Sequence, residues 1–316
     1  MIVTLTPNPS LDRTVSIAEL HRGEVHRATA SRLDPGGKGV NISRALTAHK
    51  EPTLAVLPAG GPQGRLLAEL LAEAGIDVAI VSIGGSIRVN LALVEPDGTT
   101  TKINEPGPVL SGSELDALLA GAAATLAEQP SWLVGSGSLP PGVDEGLYAG
   151  LVRRCRDAGV SVAVDASGTA LRRAVEAGPD LIKPNLEELE ELVGRSLSTL
   201  AEVRDAAADL VNGGVATVVV SMGGDGALLV SESVIAHAVA PVAAPLSTVG
   251  AGDALLAGYL CSTANGSSTV EALCTGVAWG AAAVGLPGSR MPTPADVAGI
   301  QVSVTSEPDP NLPVKS

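Results

Sequence analysis

Short apolar bursts at residues 2–5, 54–57, 78–83, 132–134, 162–164 and 217–220 are rich in β-branched side chains, and most are followed by stretches with apolar residues three and four apart. The bursts predict strands, and the intervening periodicity predicts helices over 64–74, 114–128, 145–158, 200–212 and 251–263. Such alternation is the pattern of βαβ units. The bursts are apolar along their whole length, so each strand must be covered on both faces, which predicts a mostly parallel sheet between helix layers. The longest apolar run, at 276–286, is too short to span a bilayer and reads as a buried helix.

Two stretches break this rhythm. Residues 14–33 are short, mixed and dotted with Arg and His, while 89–104 alternates Val89, Leu91 and Leu93 and turns at Asp97-Gly98, a hairpin signal. Pattern alone favours an ordinary edge hairpin over a separate small β-lid. The tail after Ile300 is rich in Pro, Ser and Glu and is expected to fray.

Charge narrows the partners. The 316 residues carry a formal net charge of −14, which opposes a nucleic-acid footprint, since that needs Lys and Arg clustered on one face. Cys155, Cys261 and Cys274 are odd in number and far apart, with no CxxC pair, so neither a disulfide frame nor a zinc site is expected. The opening Met1-Ile-Val-Thr-Leu5 has no basic segment before an apolar one. A soluble cytoplasmic protein, binding neither nucleic acid nor membrane, is the expectation.

The chemistry concentrates in glycine-rich turns. In Ser247-Thr-Val-Gly-Ala-Gly-Asp253, such a turn opens into an apolar helix pattern and sets bare N–H groups at a positive helix end, which suits a phosphate. Asp253 in the first turn places a carboxylate beside that anion site; a simple tight turn with a dipole-complementing Asp explains the same residues. Position 255 is Leu, so the Rossmann fingerprint fails, and Asp34-Pro-Gly-Gly-Lys38-Gly-Val-Asn41 lacks Walker spacing. The latter instead offers a cation and an amide at the start of a helix over 40–48, among glycines that would let a ligand approach the backbone.

Val134-Gly-Ser136-Gly-Ser138-Leu-Pro-Pro-Gly142 follows a predicted strand, where open α/β sheets place ligands, but Leu139 occupies the last glycine's position of a nucleophile elbow. None of the four histidines stands beside a plausible nucleophile, which leaves a hydrolase triad unsupported. In Lys183-Pro-Asn185-Leu-Glu187-Glu188, Asn185 and Glu188 lie three apart at a helix start, suited either to orienting water around a divalent cation or to capping the helix.

In their order along the chain, Thr6-Pro-Asn8-Pro-Ser-Leu-Asp12, GGKGVN, SGSLPPG, KPNLEE, Ser221-Met-Gly-Gly-Asp-Gly226 and STVGAGD resemble the PfkB/ribokinase family of carbohydrate kinases over almost the whole length. Within it they look like the phosphosugar branch, and STVGAGD with residues 94–107 looks nearest to bacterial 1-phosphofructokinases. Tagatose-6-phosphate kinases and the minor 6-phosphofructokinase share the branch, and a catalytically silent sugar-phosphate sensor on the same fold is an alternative of a different class.

The resemblance implies a three-layer α/β/α ribokinase-like sandwich with a β-lid, which reverses the edge-hairpin preference. The α/β domain would span 1–13, 34–86 and 105–316, and the lid 14–33 and 87–104. It implies ATP as co-substrate with Mg²⁺, Asp253 as base, and Gly250, Ala251 and Gly252 as anion hole. Asp12, Gly37, Lys38 and Asn41 would hold the sugar, with Ser136 nearby, and Arg88 and Lys102 would meet its existing phosphate, although Ile87 stands where the family often has Thr. Lys183, Asn185, Ser221, Gly223 and Gly226 would line the nucleotide side, with Asn185 and Glu188 holding Mg²⁺ through water and the adenine wall around Val277 and Ala281. The alternating lid strands suggest a homodimer paired through the lids.

Overall fold

The computed structural model describes residues 1–242 and 244–315. Its main sheet has ten strands in the order Ser303–Thr305, Ile235–Val239, Ala227–Ser231, Thr217–Ser221, Leu181–Ile182, Val162–Asp165, Trp132–Ser136, Ile2–Leu5, Thr53–Ala59 and Asp77–Ser82. From Thr217–Ser221 onward the neighbours are parallel, and the first three strands are joined to the sheet and to one another by antiparallel pairing at one edge. Adjacent residues of one strand serve opposite layers. Val3 and Leu133 join the core beneath Leu147–Ala158 and Leu200–Asn212, whereas Ile2 and Val134 join the core beneath Lys38–Ala48, Ala251–Ala264 and Thr269–Val284. Continuous apolarity is therefore what burial on both faces demands.

With no phenylalanine in the chain, aliphatic side chains and two specific aromatic contacts fill these layers. Tyr148 is fully buried and donates its hydroxyl to the Gly137 carbonyl at 2.8 Å, bracing the turn after Trp132–Ser136. Trp279 packs over Gly258, where a Cβ would fall 2.9 Å from the indole, and stacks on His49 with centroids 3.5 Å apart. Small residues thus let helices Ala251–Ala264 and Thr269–Val284 approach closely.

A second, four-stranded sheet runs Ala30–Gly36, Ser10–Ser16, Arg88–Val94 and Thr100–Ile103. Arg88–Val94 and Thr100–Ile103 lie within the expected lid segment 87–104, but the other two strands extend beyond 14–33, because Ser10–Ser16 pairs with Ala30–Gly36 along its full length, from Ser10 opposite Gly36 to Ser16 opposite Ala30. Asp12 and Asp34 consequently sit within that sheet and face each other across the ladder.

The tail departs from expectation more clearly. Ser303–Thr305 pairs with Ile235–Val239, Val314 is buried, and its N–H reaches the Ser198 carbonyl at 3.1 Å. Proline and serine lower local propensity, but an open sheet edge and the Leu200–Asn212 helix supply partners that composition does not reveal. Among the described residues no helix is long and apolar enough to cross a membrane.

Candidate active site

Parallel strands bring their carboxyl ends to one edge of the sheet, so Asn8, Ser138, Asp165, Lys183 and Ser221 converge there from distant parts of the sequence. Several helices open at this edge with glycine caps and no side-chain cap, among them Lys38–Ala48 behind Gly37 and Ala251–Ala264 behind Gly250. Helices such as Gly112–Thr125 and Thr269–Val284 instead close their first turn with a capping box. The uncapped starts leave first-turn amides free for an anion. Gly250 has φ 80°, and a Cβ there would lie 2.6 Å from Met291 Cε. No other residue type fits that turn unstrained.

Asp253 follows in the first helical turn, buried and 7% exposed, with Oδ2 accepting a hydrogen bond from Asn41 Nδ2 at 2.8 Å. Burial, reinforced by the Asp165 carboxylate, pushes its pKa up to about 6 against the opposing pull of Lys38, Asn41 and Lys183. The carboxylate is ionised at neutral pH yet close enough to that range to accept a proton.

Behind it lies a cluster in which Asp165, wholly buried at the end of Val162–Asp165, pairs with Lys38 at 2.8 Å and Lys183 at 3.4 Å. Burial opposes ionisation of Asp165, but the two ammonium groups outweigh it and hold the carboxyl below its ordinary range. Burial likewise works against the Lys38 charge, and Asp165, Glu188 and Asp253 together reverse that and raise it. Sequence reasoning missed Asp165. Its signal was present: an acidic residue directly after an apolar strand burst, at the end where α/β sheets put their ligands.

A cavity of about 200 Å³ beside Lys38 is lined by Asn8, Arg88, Asn90, Asn104, Ser138 and Glu188 among others. Arg88 donates to the Asn8 and Glu105 carbonyls at 3.0 and 3.1 Å, while its Nε, Asn8 Oδ1 and Asn90 Oδ1 are buried without partners. Orphaned polar atoms gathered around one cavity fit a polar ligand. Asp12 lies next to it, accepting from Ser10 at 2.7 Å and Asn90 at 3.0 Å.

Three expectations shift here. Ser136 is wholly buried against Gly39 and does not line the cavity, whereas Ser138, beyond Gly137 at φ 92°, lines it together with Ser167. Lys102 is exposed on the edge strand Thr100–Ile103, opposite Ala92, and does not line the cavity. The glycines around Lys38 chiefly serve the chain's own packing, since a side chain at 36 would strike the Asp12 carboxylate and one at 39 would strike Thr6 and Ser136.

On the other side of Asp253 a larger cavity of about 630 Å³ is lined by Ala251, Gly252, Ser221, Gly223 and Gly226, with Val277 and Ala281 on its wall. Lys183 and Asn185 are absent from this lining. Lys183 is buried behind the glycine turn, its Nζ 3.2 Å from where a Cβ on Gly252 would stand. Asn185 caps Leu186–Val193, accepting from the Glu188 N–H at 2.7 Å, and Glu188 Oε2 accepts from the Asn185 N–H at 2.9 Å. Capping is thus one role these two residues fill, and Glu188 Oε1 also meets Lys38 at 3.3 Å.

Comparison with known proteins agrees with this geometry. The model of the pfkB family carbohydrate kinases matches residues 8–296. The chain is 38% identical over 306 residues to a 1-phosphofructokinase of Rhodobacter capsulatus, covering 96% of each, and 38% identical over 293 residues to the ATP-dependent 6-phosphofructokinase isozyme 2 of Escherichia coli, covering 92% of this chain and 94% of that one. The crystal structure of Escherichia coli phosphofructokinase-2 in complex with substrates and products superposes with a TM-score of 0.88 at 36% identity, over 94% of this chain and 97% of that one. A ribokinase from Thermotoga maritima shares the fold at a TM-score of 0.74 and 21% identity. With a carboxylate at a glycine-capped helix start between two cavities, and the family's model matched over nearly its whole length, the chain belongs to the pfkB family of carbohydrate kinases.

Proposed function

We propose that this kinase transfers the γ-phosphoryl group of ATP to the C6 hydroxyl of fructose 1-phosphate, giving fructose 1,6-bisphosphate and ADP. The observation that carries the reading is the position of Asp253. Its neighbours Ala251 and Gly252 line the larger cavity, and Lys38, beside it, lines the smaller, so a group passing between the two must pass the carboxylate. Asp253 takes the hydroxyl proton as the sugar oxygen attacks phosphorus and the bond to the leaving oxygen of ADP breaks. Amides of Gly250, Ala251 and Gly252 hold charge on the transferring group. Arg88, whose buried Nε has no partner, holds the phosphate already on the sugar, and the orphaned amide oxygens of Asn8 and Asn90 accept hydrogen bonds from sugar hydroxyls.

The donor set suits Mg²⁺. Both oxygens of Glu188 and the amide oxygen of Asn185 already have protein partners, which fits an ion that keeps its waters and is held through them. When bound, it neutralises charge on the ATP phosphates. The lid's outer face, with Leu91, Leu93 and a 54% exposed Ile103, supports a homodimer paired through the lids, and the chain's composition supports a cytoplasmic location.

A coupled ADP assay with Mg²⁺ across fructose 1-phosphate, fructose 6-phosphate and tagatose 6-phosphate tests the substrate. The highest kcat/KM is expected for fructose 1-phosphate. A higher value for either of the others would refute the sugar assignment and leave the kinase assignment standing.

A further inference from the structure

Arg44 lies one turn along the helix from Asn41, outside every motif singled out in the sequence. The two residues are three apart and share a helix face. Arg44 Nη1 donates to Asn41 Oδ1 at 2.9 Å and to the Pro35 carbonyl at 3.1 Å, and its side chain is only 12% exposed. Its Nη2 stands 3.8 Å from Asp34, which also receives two nitrogens of Arg32 at 2.7 and 2.9 Å. One guanidinium therefore joins the end of the lid strand Ala30–Gly36 to the amide that touches Asp253.

We propose that Arg44 is a positioning residue for phosphoryl transfer: it fixes the Asn41 amide with its NH₂ toward Asp253 in both protonation states of that carboxyl. A primary amide presents a donor from one end and an acceptor from the other, in nearly the same shape. Facing an ionised carboxylate, an unrestrained Asn41 would present NH₂. Facing the protonated acid, it would turn and present oxygen, stabilising the proton that Asp253 has just accepted. A guanidinium cannot accept a hydrogen bond, so Arg44 forbids that turn. Asp253 then holds its proton less firmly and is returned to the ionised form for the next cycle. Pro35 and Asp34 belong to the lid strand, so this restraint is anchored on the lid.

The inference rests on Asp253 being the base. Other charges face that carboxyl: Asp165 from the end of its strand, Lys38 from the same helix as Arg44, and Lys183 beyond Leu181–Ile182. The experiment must separate amide orientation from the field of Arg44 itself. The midpoint of Asp253 is followed by carboxyl ¹³C NMR titration, assigned with Asp253→Asn, together with the acid limb of kcat/KM.

In Arg44→Met the midpoint is expected to rise by roughly one pH unit, the order of a hydrogen bond gained by the protonated form once Asn41 can turn. Its kcat falls on the order of 10-fold while KM for ATP stays within about twofold. Arg44→Lys, which can still donate to Asn41, keeps the midpoint near wild type. In the Asn41→Ala background, removing Arg44 adds little further shift. An unmoved midpoint in Arg44→Met, or an equal shift with and without Asn41, would overturn the proposal. Should the Met variant not fold, Arg44→Gln, neutral and able to accept, is expected to shift the midpoint in the same direction. Full turnover in Asp253→Asn would instead remove the base assignment itself, a distinguishable outcome.

Discussion

The two cavities that meet at Asp253 are built in opposite ways. The larger, of about 630 Å³, is walled by aliphatic side chains such as Val277, Ala281 and Leu255, with bare backbone at Gly223, Gly226 and Gly252. The smaller, of about 200 Å³, is lined by Lys38, Arg88, three asparagines and Ser138, many of them hydrogen-bonded into place. One end offers shape and bare backbone, the other charge and directed polar atoms. The contrast explains how a chain of net charge −14 accommodates two anions, because local field and not net charge decides each site. Asp253 belongs to neither style, being a buried carboxylate whose pKa burial and the Asp165 carboxylate push up to about 6 against the pull of Lys38.

The sharpest way to break the comparison is at the junction. Asp253→Asn is expected to lower kcat by roughly 10²–10⁴-fold, the usual share of a general base, while the ATP Kd measured by titration stays unchanged because the glycine amides remain. Turnover near wild type would show that the junction is not where the chemistry happens. Lys38→Met, at the charged end, should lower kcat/KM for the phosphosugar by roughly 100-fold, as for loss of one charge-stabilising donor. Nucleotide affinity should hardly move. A change confined to the ATP Kd would place Lys38 on the wrong side of the cleft.

A pH profile bears on both ends at once. A base with its pKa pushed up to about 6 must be ionised to act, so kcat/KM is expected to be flat above about pH 7 and to fall on the acid side. At pH 5 it should lie about tenfold below the plateau. A limb that persists unchanged in the residual activity of Asp253→Asn would assign it to another group. At the apolar end, Ala281→Leu should crowd the cavity and raise KM for ATP roughly fivefold with kcat preserved, since it removes binding common to ground and transition states. An equal effect on the phosphosugar KM would deny that the two cavities are separate.

The sequence by itself determined the architecture and the chemical parts list. Wholly apolar strand bursts demanded cover on both faces, and helix 200–212 is observed as Leu200–Asn212. The glycine turns marked Asp253, Lys38 and Asn41 because backbone exposure and helix starts are local properties, readable over a few residues.

Tertiary structure alone decided which distant residues share a volume. Asp165 carries no motif and acquires its role only where two lysines from other segments meet it in a buried cluster. Ser138 displaces Ser136 at the cavity because the pleat and the turn at Gly137 set direction, and Lys102 stays outside because strand pairing places it at an edge. In the tail after Ile300, Ser303–Thr305 takes its place as a strand from the sheet edge it pairs with, whatever its own propensity. Arg44 shows the same division: helix spacing puts it near Asn41, but only the fold brings Pro35, Asp34 and Asp253 to the two ends of that contact. Short-range order follows from covalent neighbours, whereas long-range contacts follow from which surfaces the chain buries together, and no window of sequence contains both sides of such a contact.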